Sequence, residues 1–203
     1  MVRNLIYVPL VHNAFSSEIV MTPELEEILG RIDSNLKEEF KAEQESYWNN
    51  VDQCLSRFKI DRVYQDTVTD NPSPKRLMPK IRELALKSRN LRTVCSLIDK
   101  GAILMPTEKF EFLYQLENPI KVQIRDRYIA GNIEKTLRDN ETAALFMGLM
   151  HKVDKVLSAG YPSITVLPVA SDIKHLTEVF LQMYKQADPD DSEELLKLIE
   201  VCQ

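Results

Sequence analysis

Short continuous apolar runs alternate along this chain with longer stretches in which apolar residues recur every three or four positions. The short runs are typical of buried β-strands, and the longer stretches are typical of amphipathic α-helices. Because helix follows each predicted strand, the economical arrangement is a mostly parallel sheet with helices on both faces. We therefore predict a single α/β domain whose central sheet has about five strands.

The predicted strands cover residues 6–12, 60–65, 102–105, 143–147 and 164–167. Between them, the pattern predicts one long helix or two joined helices over 25–58, two helices closed by Gly101, a helix opened by Thr107, and a helix over 119–139. Two more helices are predicted at the end of the chain, with caps at Ser171 and within 188–192. In this interpretation residues 5–168 form the core of the domain, and residues 171–203 form a C-terminal helical extension.

Composition excludes several classes of function. The formal net charge is -5 and no dense Lys/Arg stretch is present, so we expect no nucleic-acid partner. No apolar run is long enough to span a bilayer and no signal peptide is evident, so we expect a cytoplasmic protein without a membrane partner. Cys54, Cys95 and Cys202 are widely spaced and form no Cys-x-x-Cys pair, which fits reduced thiols.

Polar residues lie at the carboxyl ends of the first four predicted strands: His12, Asp66, Thr107 with Glu108, and His151. Ligands of open α/β sheets bind outside the carboxyl ends of the strands, so these side chains are predicted to meet in one cleft. For any one of them, a hydrogen-bonded structural role is the alternative. The remaining histidine, His175, lies in an amphipathic helical pattern, and we expect it to have a structural or solvated role.

Asp126 lies within the apolar stripe of the helix predicted over 119–139. At 100° per residue it falls within about 60° of the apolar positions on either side of it. A carboxylate that faces a core needs a charged or hydrogen-bonding partner. Two interpretations remain open: Asp126 belongs to an active site together with Arg125, or Asp126 and Arg125 form a clamp that fastens the helix to the sheet.

The segments Arg125-Asp-Arg-Tyr-Ile-Ala130 and Gly148-Leu-Met-His151 resemble the arginine-helix and Gly-x-x-His module of the TraB/TIKI/erythromycin-esterase/ChaN superfamily. Tyr64-Gln-Asp66, Gly101-Ala102 and Thr107-Glu108 resemble more closely a prokaryotic family of uncharacterised activity, whose opening strand ends in histidine and which has a late Gly-x-x-His. The resemblance covers most of residues 5–168. This chain departs from the pattern at Pro9, where glycine is frequent, and at Thr67, which follows the acid.

The resemblance implies a cleft in which His12, Asp66, Arg125 and His151 are the functional residues, to which the residue pattern adds Asp126. We place Thr107, Glu108 and Gly148 on the substrate-binding side of that cleft. Imidazole and carboxylate groups suit a divalent ion such as Zn or Mn, with His12, His151 and Asp66 as ligands and a bound water as the nucleophile. Without a metal, His12 or His151 would act as general base, an acidic neighbour would orient the imidazole, and Arg125 would stabilise an oxyanion.

The working hypothesis is a hydrolase that acts on an ester, amide or peptide bond of a small molecule or peptide. A competing hypothesis is a non-catalytic ligand-binding or haem-binding protein that uses the same cleft. A third is an interaction module, in which the apolar face of the C-terminal helices packs on the sheet or on a second subunit of a homodimer. The sequence favours the first through the convergence of its polar strand ends and through the resemblance.

Overall fold

The computed structural model describes residues 2–11, 30–66, 68–109, 119–149, 151–169 and 173–187. The strands in these ranges are β1 Arg3–Leu10, β2 Arg62–Gln65, β3 Ile103–Met105, β4 Thr142–Gly148 and β5 Ile164–Pro168. The helices in these ranges are α1 Ser34–Leu55, α2 Pro74–Ala85, α3 Arg89–Asp99, α4 Pro119–Thr136, α5 Val153–Gly160 and α6 Ile173–Ala187.

The strands form one sheet in the order β3-β2-β4-β1-β5, and every pair of neighbours is parallel. The centre of the sheet is the pairing of β1 with β4, whose register runs from Asn4 opposite Thr142 to Leu10 opposite Gly148. Because all strands are parallel, all of their carboxyl ends lie at one edge. This confirms the predicted α/β fold with a five-stranded sheet.

Two apolar cores cover the two faces of the sheet, because successive side chains of a strand point to opposite faces. The larger core joins Ile6, Val8 and Phe146 to α1, α2, α3 and α6. The smaller core joins Leu5 and Leu145 to α4 and α5. The molecule is therefore a three-layer sandwich, and the helix that carries Arg125 and Asp126 lies on the face with the smaller core.

Of the two alternatives predicted for 25–58, the structure excludes a single uninterrupted helix, because the Asp33 side chain accepts hydrogen bonds from the Asn35 and Leu36 N–H groups and caps α1. The helix predicted to begin at Thr107 was wrong. Thr107 does not cap a helix at 106–109. Its hydroxyl donates instead to the carbonyl oxygens of Gln65 and Val68, and Glu108 forms a β-bridge with Thr69.

The predicted C-terminal helix is present as α6, and its apolar face packs within the chain. Leu176, Val179 and Phe180 are buried in the larger core, where the rings of Phe180 and Phe40 of α1 lie 6.2 Å apart. His175 lies on the exposed side of α6, as predicted. The predicted caps at Ser171 and 188–192, the last predicted helix and the start of the first at residues 22–24 lie outside the described residues.

Gly101 ends α3 in the left-handed region, with φ +103°. Its N–H donates to the Ile98 carbonyl oxygen, and the Ala102 N–H donates to the Leu97 carbonyl oxygen. This pair of hydrogen bonds is a Schellman motif, which satisfies two carbonyl groups at the end of the helix. The turn leads directly into β3, so the position of that edge strand depends on a conformation that glycine adopts without strain.

We predict that Gly101→Ala lowers the free energy of unfolding by about 1–2 kcal/mol, because an L-residue is strained at positive φ. Gly160→Ala is the matched control. A Cβ at either position meets nothing within 4 Å, but Gly160 ends a helix and has no positive φ. We expect the control to stay within about 0.5 kcal/mol of the wild type or to be more stable. Urea denaturation measures both, and equal effects would contradict the prediction.

Candidate functional site

The carboxyl edge of the sheet holds most of the predicted site residues. Asp66 follows β2 directly, Glu108 lies three residues beyond β3, and His151 lies three residues beyond β4. Gly148 is the last residue of β4. His12, predicted for the same edge, lies outside the described residues.

Asp126 and His151 form a buried pair at this edge. One oxygen of Asp126, Oδ1, lies 2.5 Å from Nδ1 of His151, and the other accepts the Lys152 N–H at 2.8 Å. Asp126 is 2% exposed and His151 is 7% exposed. Because an ionised carboxylate only accepts hydrogen bonds, the contact assigns the proton to Nδ1 and leaves the lone pair of a neutral ring on Nε2.

Local structure explains why this pair forms. The buried stripe of α4 runs through Ile133 and Ile129 to Asp126, whose carboxylate contacts the segment that follows β4. The turn after β4 is closed by the His151 N–H, which donates to the Gly148 carbonyl oxygen at 3.0 Å. Lys152, whose N–H donates to Asp126, is the N-cap residue of α5. The Asp126 carboxylate therefore lies at the N-terminus of α5, where the helix dipole favours negative charge.

Tyr7 of β1 lies beside the pair. Its hydroxyl donates to the His151 carbonyl oxygen at 3.4 Å. Burial raises the pKa of the Tyr7 phenol well above its usual value, and the negative charges of Asp154, Asp126 and Asp66 act in the same direction. Tyr7 therefore stays neutral and serves as a hydrogen-bond donor to the loop that carries His151.

Arg125 belongs to a second buried cluster. Its Nε and Nη2 atoms donate to the two carboxylate oxygens of Glu108 at 2.9 and 2.6 Å, and Nη2 lies 3.8 Å from Oδ1 of Asp66. Asp66 also accepts the Gly148 N–H at 3.2 Å, which links the ends of β2 and β4. Glu108 is 1% exposed and Arg125 is 3% exposed. Removing one partner of such a pair leaves a buried charge without compensation, which typically costs about 3–5 kcal/mol.

Burial raises the pKa of the Glu108 carboxyl, and the neighbouring Asp66 acts in the same direction, while hydrogen bonds and charge from Arg125 oppose the rise. In the part of the chain that the structure describes, the Asp66 and Glu108 carboxyl groups meet the Arg125 guanidinium in this cluster. A raised pKa means that the folded chain binds the Glu108 proton more tightly than the unfolded chain does. The free energy of unfolding is therefore linked to the protonation of Glu108.

The structure thus brings the predicted site residues together in two adjoining groups. Asp66, Glu108, Arg125 and Gly148 form one group, and Asp126 and His151 form the other. Asp126 and Arg125 do not act together as the predicted clamp, because Arg125 binds Glu108 and Asp126 binds His151. Thr107 is fully buried, and its hydroxyl is bonded to two main-chain carbonyl groups.

Sequence reasoning missed two partners of the His151 pair. The Lys152 N–H carries no side-chain signal, so no sequence pattern could have indicated it. Tyr7 could have been noticed, because it is a polar aromatic residue in an otherwise apolar strand predicted to be buried.

Within the described ranges, no group of three or more His, Cys, Asp or Glu side chains is arranged to hold a metal ion. His151 and Asp66, two of the three predicted ligands, belong to the separate groups described above. The donor set in this part of the chain therefore does not fit the predicted metal centre, and the third predicted ligand, His12, lies outside it.

The sequence matches no protein-family model, no curated protein and no solved structure. The resemblance to the TraB/TIKI/erythromycin-esterase/ChaN superfamily therefore depends on the quoted residues alone and stays a prediction. Among the helices that the structure describes, none has the combination of length and apolar character needed to cross a bilayer.

We predict that the stabilising contribution of Glu108 is lost as pH rises. A carboxyl whose pKa is raised by folding binds more protons in the folded than in the unfolded chain. Its contribution is complete below about pH 4.5, the ordinary value for glutamate, and falls by at most about 1.4 kcal/mol per pH unit up to its folded-state pKa. In urea denaturation, the difference in unfolding free energy between wild type and Glu108→Gln should shrink as pH rises from 4.5.

Glu83→Gln, on the exposed surface of α2, is the control for removing one carboxylate, and no comparable slope is expected for it. If the difference between wild type and Glu108→Gln instead widened with rising pH, Arg125 would outweigh burial and the prediction would be wrong.

Proposed function

We propose that this protein is a hydrolase that cleaves an ester, amide or peptide bond, with His151 as general base and Asp126 as the residue that orients it. The observation that carries the proposal is the Asp126–His151 contact at the carboxyl edge of the parallel sheet. A carboxylate bound to Nδ1 fixes the tautomer of the ring and stabilises the imidazolium that forms when Nε2 takes a proton. The location supports the proposal, because ligands of open α/β sheets bind at this edge.

The proposed reaction needs only proton transfers and one nucleophilic attack. Nε2 of His151 accepts a proton from water as the water oxygen bonds to the substrate carbonyl carbon, and the carbonyl electron pair moves to oxygen. The tetrahedral oxyanion then collapses, the bond to the leaving alkoxide or amine breaks, and the imidazolium returns the proton to the leaving group. Such general acid–base catalysis typically contributes about 10²–10⁴-fold to the rate.

Arg125 is next to Asp126 in the chain and has a supporting role in this proposal. Its contact with Glu108 holds α4 against the segment after β3, so that Asp126 is presented to His151. The guanidinium is 3% exposed and faces the Glu108 and Asp66 carboxylates, so the oxyanion role expected from the sequence is not part of this proposal. Asp66 fixes Gly148, which begins the turn that carries His151.

The competing proposal is a protein that binds a ligand or haem at the same edge without turning it over. A carboxylate on Nδ1 is also the usual partner of a metal-binding histidine, so the Asp126–His151 contact supports His151 as an axial ligand. General-base catalysis is favoured because the Asp126–His151 pair supplies a base and its orienting carboxylate within the described residues. The two proposals differ in turnover and in haem uptake, so one set of variants separates them.

The test is a panel of p-nitrophenyl esters, amides and short peptides, assayed with wild type, His151→Gln and Asp126→Asn. We expect wild type to turn over at least one substrate, and each variant to lower kcat/KM by about 10²–10⁴-fold, because the base or its orienting carboxylate is lost. EDTA should leave the activity within about twofold, since the proposed step uses no metal.

His175→Gln is the matched control, because it removes the exposed histidine of α6 on the other face of the sheet. It should keep kcat/KM within about twofold of wild type, and circular dichroism and thermal denaturation identify variants that do not fold. Activity that survives in folded His151→Gln would overturn the assignment. A wild-type protein that hydrolyses nothing but shows a shifted haem Soret band, lost in His151→Gln, would establish the competing proposal.

A further inference from the structure

A concave site lies on the other face of the sheet, between the end of α1 and one side of α3. It is a cavity of about 480 Å³, within the roughly 300–1,000 Å³ that small-molecule sites occupy. One side of α3 lines it at helical spacing, through residues 89, 92, 93, 96, 97 and 100. The Asp126–His151 pair belongs to the opposite face, so this cavity is independent of the proposed hydrolase site.

The cavity is basic although the chain as a whole is acidic. Lys59, Arg89, Arg92 and Lys100 line it together with one acid, Asp52. This concentration of positive charge attracts anions, and low-dielectric walls strengthen the attraction.

Two of the four cationic side chains already form ion pairs with carboxylates. Arg89 forms an ion pair with Asp52, and the Lys59 ammonium lies 2.7 Å from Asp61. Within the described ranges, neither Arg92 nor Lys100 forms an ion pair with a carboxylate. The anion-binding capacity of the cavity therefore lies with Arg92 and Lys100.

Asp52 also connects the two helices that line the cavity. Besides pairing with Arg89, it accepts a hydrogen bond from the Thr93 hydroxyl at 2.9 Å. The two contacts join the end of α1 to the start of α3, the two helices between which the cavity lies. Ser96 lies between Arg92 and Lys100 on the same side of α3 and adds a hydroxyl donor.

The cavity also has an apolar wall, formed by Leu55, Ile60, Leu97 and Phe58. Phe58 is 38% exposed, so part of a large aromatic surface remains open to solvent. An aromatic ring stacks favourably on such a surface, whereas a purely inorganic ion gains nothing from it. A ligand that matches both walls carries a compact anion at one end and an aromatic group at the other.

We infer that this cavity binds an aromatic phosphate monoester of about mononucleotide size, with the phosphate on Arg92 and Lys100 and the aromatic group on the Phe58 side. Guanidinium and ammonium groups are the side chains that bind phosphate most strongly, and Arg92 presents a planar fork that matches two phosphate oxygens. Carboxylate ligands carry one charge where a phosphate monoester carries up to two, so the phosphate gains more from the pair of cations.

The test is isothermal titration of the full chain with AMP and with phenyl phosphate, and with adenosine and phenol as their phosphate-free partners. We expect saturable binding of at least one phosphate ester, and binding at least tenfold weaker for its phosphate-free partner. Raising the salt concentration from about 0.05 to 0.5 M should weaken the binding severalfold, because these cations are exposed.

The variant pair Arg92→Ala and Lys100→Ala, combined, should weaken binding at least tenfold. Combining Lys75→Ala with Arg76→Ala removes the same charge from the exposed surface of neighbouring α2, and should leave the affinity within about twofold. Asp126→Asn should also bind normally, which separates this site from the proposed hydrolase. The inference is overturned if neither ester binds to folded protein, if the phosphate-free partners bind equally well, or if both double variants lose the same affinity.

Discussion

The parallel pairing of β1 with β4 is the contact on which the rest of this molecule depends. Seven consecutive residue pairs, from Asn4 with Thr142 to Leu10 with Gly148, align β4 with β1 over the whole length of β4. That register places the end of β4 beside the end of β1, and β2 joins β4 from the other side. Polar residues beyond three different strands consequently meet at one edge, although they are distant in the chain.

Helix α4 then divides that edge into two adjoining groups. Arg125 and Asp126 are consecutive, so their side chains leave the helix about 100° apart and cannot share one set of partners. Arg125 reaches the segment after β3 and pairs with Glu108, whereas Asp126 reaches the loop after β4 and pairs with His151. One group anchors the helix, and the other holds an imidazole in a defined tautomer. Arg125 thus supports the helix, whereas its neighbour Asp126 takes part in the proposed chemistry.

Periodicity predicted the elements of this fold because strands and helices bury side chains with different repeats, and that difference is local. The same argument predicted that Asp126 would face the core. Which residues these side chains contact in the folded chain, in contrast, does not depend on local sequence. Glu108 as the partner of Arg125, and the Lys152 N–H as a donor to Asp126, depend on the distance between α4 and two loops, which no spacing in the chain encodes. Thr107 shows the same limit: threonine before glutamate is typical of a helix cap, but tertiary contacts with the carbonyl groups of Gln65 and Val68 determine its structure.

The strand order has a consequence for how the chain reaches its native state. Both neighbours of β1 come from the last third of the chain, since β4 begins at Thr142 and β5 begins at Ile164. A ribosome therefore releases β1 long before either partner has been synthesised, whereas β2 and β3 can pair early. Closing contacts over so large a sequence separation slows folding. Until β4 emerges, β1 is an apolar strand with two unpaired edges, and such edges favour association between nascent chains.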